Sequence, residues 1–197
     1  EQAYRTAREA DALSAFGGIV ALNQECDEAT AKAVAETFIE CIVGPSFSAA
    51  ALEILRGKKN LRILSTGEQL GPDRPGWMYK RIDGGIVVQD RDATGIGEVP
   101  GGKVATKRQP TDEEKRALDF AWKVCKHTKS NAIVFAKDNR TVGVGAGQMS
   151  RVVSVEIAAS KAGDESKGAV MASDAFFPFP DGIEAAAKAG ITAVVQP

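Results

Sequence analysis

Three short segments concentrate the side chains that could do chemistry. The first, Val142-Gly-Val-Gly-Ala-Gly-Gln-Met-Ser-Arg151, follows an apolar run and leads into a helical pattern. A glycine loop in that setting can aim backbone amides at an anion, with Ser150 and Arg151 adding a hydroxyl and a fixed positive charge. Glycines are equally what a tight strand-to-helix turn needs for its geometry, and the sequence leaves both readings open. The loop lacks the Lys-Ser/Thr ending of a Walker loop and the spacing of a dinucleotide fingerprint, so ATP hydrolysis and nicotinamide binding are poor fits.

The second segment, Ser173-Asp-Ala-Phe-Phe-Pro-Phe-Pro-Asp181, holds three aromatic rings and two carboxylates. That density suits a binding edge. The plainer expectation is that at least two of Phe176, Phe177 and Phe179 plug the core while Asp181 caps the next helix. The third, Lys126-His-Thr-Lys-Ser-Asn131, lies where a helix hands over to a strand, near the loops where open α/β sheets bind ligands. His127 is the chain's one histidine, and its place at a helix end suits a partner of the helix dipole better than a catalyst. The basic run Lys103 to Arg108 could attract phosphate, though such runs are usually just solvated.

Composition narrows the field. With 25 Lys plus Arg against 26 Asp plus Glu, no global charge argues for nucleic acid or an anionic membrane. Apolar stretches such as Ala132 to Ala136 fall far short of the roughly 20 residues a membrane span requires. Cys26, Cys41 and Cys125 form no Cys-x-x-Cys pair, which fits reduced thiols of a cytoplasmic protein and argues against zinc.

The elements that must carry these segments read as α/β. Helical spacing over 1–13, the break Ser14-Ala-Phe-Gly-Gly18 and the run Ile19 to Leu22 give helix, turn and strand. Helices at 28–40 and 48–56 and strands at 41–43 and 60–64 follow. Residues 67–76 and 93–103 read as loops around a strand at 85–89. Thr111-Asp-Glu-Glu opens a helix to about Lys126 with an N-cap and first-turn carboxylates. Strands at 132–136 and 141–144, a helix from the glycine loop to about Gly163, a strand at 168–172, a helix at 181–188 and an apolar run at 191–195 complete the chain. This alternation predicts a mostly parallel sheet covered on both faces.

Ser14-Ala-Phe-Gly-Gly18, Gly44-Pro-Ser-Phe-Ser48, Thr106-Lys-Arg-Gln-Pro110, Lys129-Ser-Asn-Ala132, the 142–151 segment and Ser173-Asp-Ala-Phe-Phe-Pro-Phe179 together resemble the AICAR transformylase/IMP cyclohydrolase family in order and spacing. The resemblance implies a partial formyltransferase domain with a cytidine-deaminase-like three-layer α/β/α fold without zinc. It implies lobes at 1–92 and 108–197, with the cyclohydrolase domain absent. The implied reaction moves a formyl group from 10-formyltetrahydrofolate to the 5-amino group of AICAR ribotide.

By the family pattern Asn131, Gln148, Ser150, Arg151, Phe176 and Asp181 would hold the ribotide, with Phe16, Gly17 and Ser46 lining the same cleft or the adjacent folate pocket. Cys125, Thr128, Ser130 and Asp174 resemble a potassium site. The family's catalytic Lys-His pair belongs upstream of Glu1 and a further histidine downstream of Pro197, so no catalytic residue is expected in this chain, and Lys126-His127 is not that pair. Pro180 stands where the family commonly has arginine. A homodimer is expected from the same resemblance. The alternative is a non-catalytic nucleotide-binding or assembly fragment.

Overall fold

The computed structural model describes residues 1–67, 76–93 and 97–197. The chain divides into two compact units, Glu1–Thr94 and Gly95–Pro197. Parts of the loops read at 67–76 and 93–103 lie outside the described residues.

In the first unit, α1 (Gln2–Glu9), β1 (Gly18–Ala21), α2 (Glu28–Ala35), β2 (Ile39–Gly44), α3 (Ala49–Arg56) and β3 (Arg62–Ser65) follow in order. The strands form a parallel sheet, β1-β2-β3. Asp27 and Ser48 cap α2 and α3 by accepting from the amides of Thr30 and Ala51, each satisfying a helix-start donor. The register aligns Val20 with Ile42 and Ile63, and these side chains pack with Val34, Ala51 and Leu55 in one core. Strand side chains alternate, so Ile19, Cys41, Val43 and Leu64 point to the opposite face, where Ile19 and Leu64 are exposed.

Helix α2 stops five residues short of the expected 40, and β2 begins earlier than expected, at Ile39. Thr37 marks the change: its backbone N–H donates to Val34 and its hydroxyl bonds the Tyr4 hydroxyl at 3.1 Å. Sequence reading also missed β4 (Trp77–Ile82), which pairs antiparallel with β5 (Gly85–Asp90). The Asp83-Gly84 turn between them, with Gly84 at φ +76°, is the two-residue hairpin signal that identifies it.

The second unit contains α4 (Glu98–Gly101), α5 (Asp112–Lys126), β6 (Ile133–Lys137), β7 (Arg140–Gly145), α6 (Arg151–Ala162), a 3-10 turn (Gly163–Ser166), β8 (Val170–Ser173), α7 (Asp181–Lys188) and β9 (Ala193–Val195). The strand order is β7-β6-β8-β9. Here the expectation of a mostly parallel sheet fails, since β6 runs antiparallel to both β7 and β8 and only β8–β9 is parallel. The physical reason is the short Asp138-Asn139 turn from β6 to β7, with Asp138 at φ +55°; a parallel pair would need a crossover of a dozen or more residues.

The sheet is covered on both faces. Val134, Ala136, Val170 and Ala172 pack against Ala117, Leu118, Ala121 and Cys125 of α5. Ile133, Phe135 and Met171 pack against Val155 and Ala158 of α6 and Ala186 of α7. The result is a three-layer α/β/α unit. The single turn α4, read as loop from the sequence, is held to α5 by Val99 in the first of these clusters and by a bond from the Trp122 indole to Glu98 at 2.7 Å.

Helix α5 starts as expected: Thr111 and Glu114 form a reciprocal capping box. Arg108 donates to Glu114 at 2.7 Å and to the Thr192 carbonyl at 3.4 Å, so this member of the basic run anchors the unit. The Arg108 guanidinium first, with Thr192 and the Thr111 amide, lowers the Glu114 carboxyl to about 2 from an ordinary 4.5, against opposing burial. Its folded value is depressed, so its contribution is present above pH 4.5 and is lost as pH falls toward 2. Glu114→Gln is therefore expected to cost about 1 kcal/mol at pH 7 and to flatten the acid limb of a stability-versus-pH curve, measured by urea denaturation.

Candidate functional site

Four chain segments meet at one end of the second unit's sheet: the residues before β6, those after β7, the start of α6 and the end of β8. Asn131, behind a cis Ser130–Asn131 peptide bond, ties the first two together. Its Nδ2 donates to the carbonyls of Gln148 at 2.8 Å and Met149 at 3.1 Å. Its own carbonyl accepts from the Ser154 hydroxyl at 2.8 Å, and its Oδ1 from Arg151 Nη2 at 2.7 Å.

Arg151 links this corner to β8. Its Nη1 donates to Ser173 Oγ at 3.0 Å and to Asp174 Oδ1, and its guanidinium carbon stands 5.9 Å from the Phe177 ring centre. The Arg151 and Asp174 side chains are only 12% and 18% exposed. A charge pair that desolvated needs further hydrogen bonds to offset the cost, and they are present: Asp174 Oδ1 also accepts from the Ala132 amide at 3.0 Å. Burial pushes the Asp174 carboxyl upward, but the Ser130 hydroxyl, Arg151 and the Ala132 amide outweigh it and hold the group below its ordinary value.

The glycine loop has a packing role at this corner. A Cβ on Gly143 would stand 2.1 Å from the Ala158 carbonyl oxygen, and one on Gly145 would stand 1.9 Å from that of Ser154. These two glycines let α6 lie directly on β7, and Gly147 takes φ +69°, a left-handed turn that glycine adopts without penalty. Ser150 occupies the N-cap position of α6 without a side-chain cap bond, and Gln148 Nε2 donates to the Ala146 carbonyl at 3.2 Å.

Of the three phenylalanines only Phe177 packs inward, against the α6–α7 core and over Gly182, where a Cβ would come within 2.5 Å of the ring. Phe176 and Phe179 are exposed, which corrects the expectation that at least two rings plug the core. Phe176 follows Asp174 by two residues in the chain. Pro180, not Asp181, occupies the N-cap of α7; Asp181 opens the helix and accepts from the Gly182 amide at 2.8 Å.

The remaining expected site residues lie in the first unit. Phe16 stacks on Phe38 with ring centres 5.2 Å apart, and the Gly17 amide donates to the Phe38 carbonyl at 3.0 Å. Ser46 donates its hydroxyl to Glu25 at 3.0 Å. Phe16 and Gly17 precede β1 whereas Ser46 follows the parallel β2, so they stand at opposite ends of that sheet. A cavity of about 420 Å3 there is lined by Tyr4, Ala7, Arg8, Ile19, Ala21 and Asn23 among others, and by none of Phe16, Gly17 and Ser46.

Around Cys125 the donor chemistry sorts the potassium candidates. The Thr128 hydroxyl bonds the Val124 carbonyl at 2.9 Å, and the Ser130 hydroxyl bonds Asp174; these are hard oxygens, the type that a monovalent alkali cation takes. The Cys125 thiol is pushed up to about 12 by burial and by the Asp174 charge, against Arg151, and points at the Ala132 carbonyl at 3.6 Å. It stays protonated and is a poor ligand for such an ion, so only its backbone oxygen fits. Among the described residues no cluster of three or more His, Cys, Asp or Glu is placed to hold a metal, and no helix is long and apolar enough to cross a membrane.

Sequence reasoning missed Ser154, which fixes the Asn131 carbonyl, and Ser173 and Phe177 as partners of Arg151. The last two sat inside a segment already singled out; the register of β8 against β6 places Ser173, and the fold of the loop beyond β8 places Phe177, toward Arg151.

Residues 1–161 match the model of the AICARFT/IMPCHase bienzyme. The chain is 63% identical over 195 residues to the bifunctional purine biosynthesis protein PurH of Sorangium cellulosum (strain So ce56), covering 99% of this chain and 37% of that relative. The match runs through the glycine loop and the start of α6, and the chain belongs to the AICARFT/IMPCHase bienzyme family.

Proposed function

We propose that this chain supplies the nucleotide-orienting part of a folate-dependent formyltransferase of purine (IMP) biosynthesis, with AICAR ribotide and 10-formyltetrahydrofolate as substrates. The observation that carries the reading is the network of Asn131, Arg151, Ser173 and Asp174, drawn from three segments onto one sheet end, with the exposed Phe176 two residues beyond Asp174 in the chain.

The chemistry asked of such a site is modest but specific. The amine of AICAR is a poor nucleophile because its electrons delocalise into the ring and carboxamide, so catalysis must orient it, manage a proton and stabilise a developing oxyanion. A guanidinium carries five donors, more than the three engaged by Ser173, Asp174 and Asn131. Its charge is already offset by Asp174. Arg151 therefore suits hydrogen bonding to the neutral carboxamide better than sole neutralisation of the phosphate, with Phe176 stacking on the ring and Gln148, Ser150 and Asp181 at the margins. Thr128, Ser130 and Asp174 would hold potassium, whose role here is to stiffen the loop that carries Asn131. For the folate the candidates divide: Phe16 and Gly17 stand at one end of the first unit's sheet and Ser46 at the other, so one of the two sets would serve. A cytoplasmic homodimer completes the reading.

Proton transfer falls to groups outside this set. The one histidine, His127, is the C-cap of α5, and Asp174 is committed to Arg151. The chain alone, given both substrates, is expected to bind the ribotide without turnover, measured by a formyl-transfer assay beside a binding assay. Robust turnover by the chain alone would overturn the placement of proton transfer elsewhere. Binding without transfer even after complementary family segments are added would favour the second reading, a non-catalytic nucleotide-binding or assembly fragment.

A further inference from the structure

Ser173 ends β8 with its side chain fully buried. A hydroxyl that deep must satisfy its donor and its acceptor locally, and Ser173 does both. Its oxygen accepts from Arg151 Nη1 at 3.0 Å, and its own O–H donates to the Ala175 carbonyl at 2.6 Å. Arg151 has two further acceptors, Asn131 and Asp174. Of the three, only Ser173 carries a hydrogen bond on past Asp174. A charged donor polarises the hydroxyl it binds and strengthens the bond which that hydroxyl gives in turn; the Ser173–Ala175 distance lies at the short end for O–H···O. The chain is held on the other side of Phe176 as well. Phe177 keeps its ring beside the Arg151 guanidinium and over Gly182, and its amide donates to Gln196 Oε1 at 3.2 Å. Phe176 therefore stands between two residues tied to Arg151, while its own ring is 62% exposed.

We propose that Ser173 is a positioning residue for Phe176: its bond to the Ala175 carbonyl ties the loop after β8 to Arg151, so that the exposed ring is held in place before the nucleotide arrives. This deepens the proposed function and rests on its placing of Phe176 on the ribotide ring. An aromatic side chain on a free loop must be ordered when it stacks, and that cost lowers affinity; a loop ordered beforehand avoids it. A serine that only satisfies its own hydroxyl at a strand end has a different signature. Its loss would touch stability and leave the ring's contribution to binding as it was.

Two measurements on the 197-residue chain decide it, with urea unfolding to show that each variant is folded. Without ligand, the NMR backbone order parameters of Ala175 and Phe176 are expected at about 0.85 in the unsubstituted chain and below about 0.6 in Ser173→Ala, with α7 unchanged. With AICAR ribotide, calorimetry compares the unsubstituted chain, Ser173→Ala, Phe176→Ala and the double variant. Ser173→Ala is expected to bind about tenfold more weakly. The same change made in Phe176→Ala is expected to cost less than about twofold, because its effect runs through the ring. Ser173→Cys, which fills the space with a weak donor, is expected to fall between and takes the place of alanine in both measurements if that chain does not fold. Order parameters that do not change overturn the proposal whether or not the ribotide binds. So does a loss of affinity of the same size with and without the Phe176 ring. A chain that binds no ribotide yet loses order in Ser173→Ala refutes the proposed function and upholds the tie between Ser173 and the loop.

Discussion

Gly145→Ala is expected to cost the second unit more than about 3 kcal/mol and to lower its unfolding temperature by more than about 10 °C. The added methyl would stand 1.9 Å from the Ser154 carbonyl oxygen and 2.7 Å from its carbon. Those are helix backbone atoms, so relief requires α6 to lift from β7, unseating Val155 and Ala158 from the core they share with Ile133 and Phe135. The same lift would pull the Ser154 hydroxyl off the Asn131 carbonyl and move Arg151. Gly101→Ala is the matched control, because a Cβ there meets nothing within 4 Å; it should change stability by no more than about 0.5 kcal/mol. Thermal and urea unfolding followed by circular dichroism compare the two. A Gly145→Ala chain as stable as Gly101→Ala would mean that α6 does not press on β7 as described.

Arg151→Ala is expected to destabilise by about 2–4 kcal/mol at pH 7, because it strands a largely buried carboxylate while removing the donor to Asn131 and Ser173. Its pH dependence identifies the cause. In the unsubstituted chain the folded Asp174 carboxyl lies below its ordinary value of 3.8, so its contribution is present above that value and fades as pH falls through the folded one. Without the guanidinium, burial acts on Asp174 with only Ser130 and Ala132 opposing it. The stability gap between the two chains should therefore narrow on acidification below about pH 4. Arg151→Met combined with Asp174→Asn should recover a large part of the loss, as removing both members of a buried pair costs far less than removing one. Urea denaturation from pH 3 to 7 measures both effects; a gap that is constant across pH would trace the loss to packing rather than charge.

How far the sequence told this in advance varies by element. Helices α5 and α3 were legible to within a residue because caps and apolar periodicity coincide, Thr111 with Glu114 in one and Ser48 in the other. Helix α2 was overextended because Glu36 continues the helical pattern while the Tyr4–Thr37 contact that accompanies its end is tertiary. The direction of β6 was misjudged because its apolar run is the same whether its neighbours run with it or against it; the two-residue Asp138-Asn139 turn held the information. Strand β4 was passed over because its composition alternates weakly, although Asp83-Gly84 was there to be read.

The candidate corner was legible as residue types but not as contacts. Asn131, Arg151 and Asp174 stood out in their own segments, yet nothing in their spacing says that one guanidinium joins all three. The glycine loop shows the opposite limit. Its sequence allowed a phosphate cradle or a turn, and the geometry adds a third requirement, room for a helix, that no local pattern announces.

The claim on which the functional reading rests is that Asn131, Arg151 and Phe176 bound one nucleotide-sized site. Titration of isotopically labelled chain with AICAR ribotide, followed by NMR at the Asn131 side-chain amide, the Arg151 Nε–H and the Phe176 ring, tests it without any substitution that could disturb the fold. Saturable shifts at all three sites with a common affinity are expected. Shifts confined to other residues, or a ribotide that binds while these three signals stay still, would contradict it.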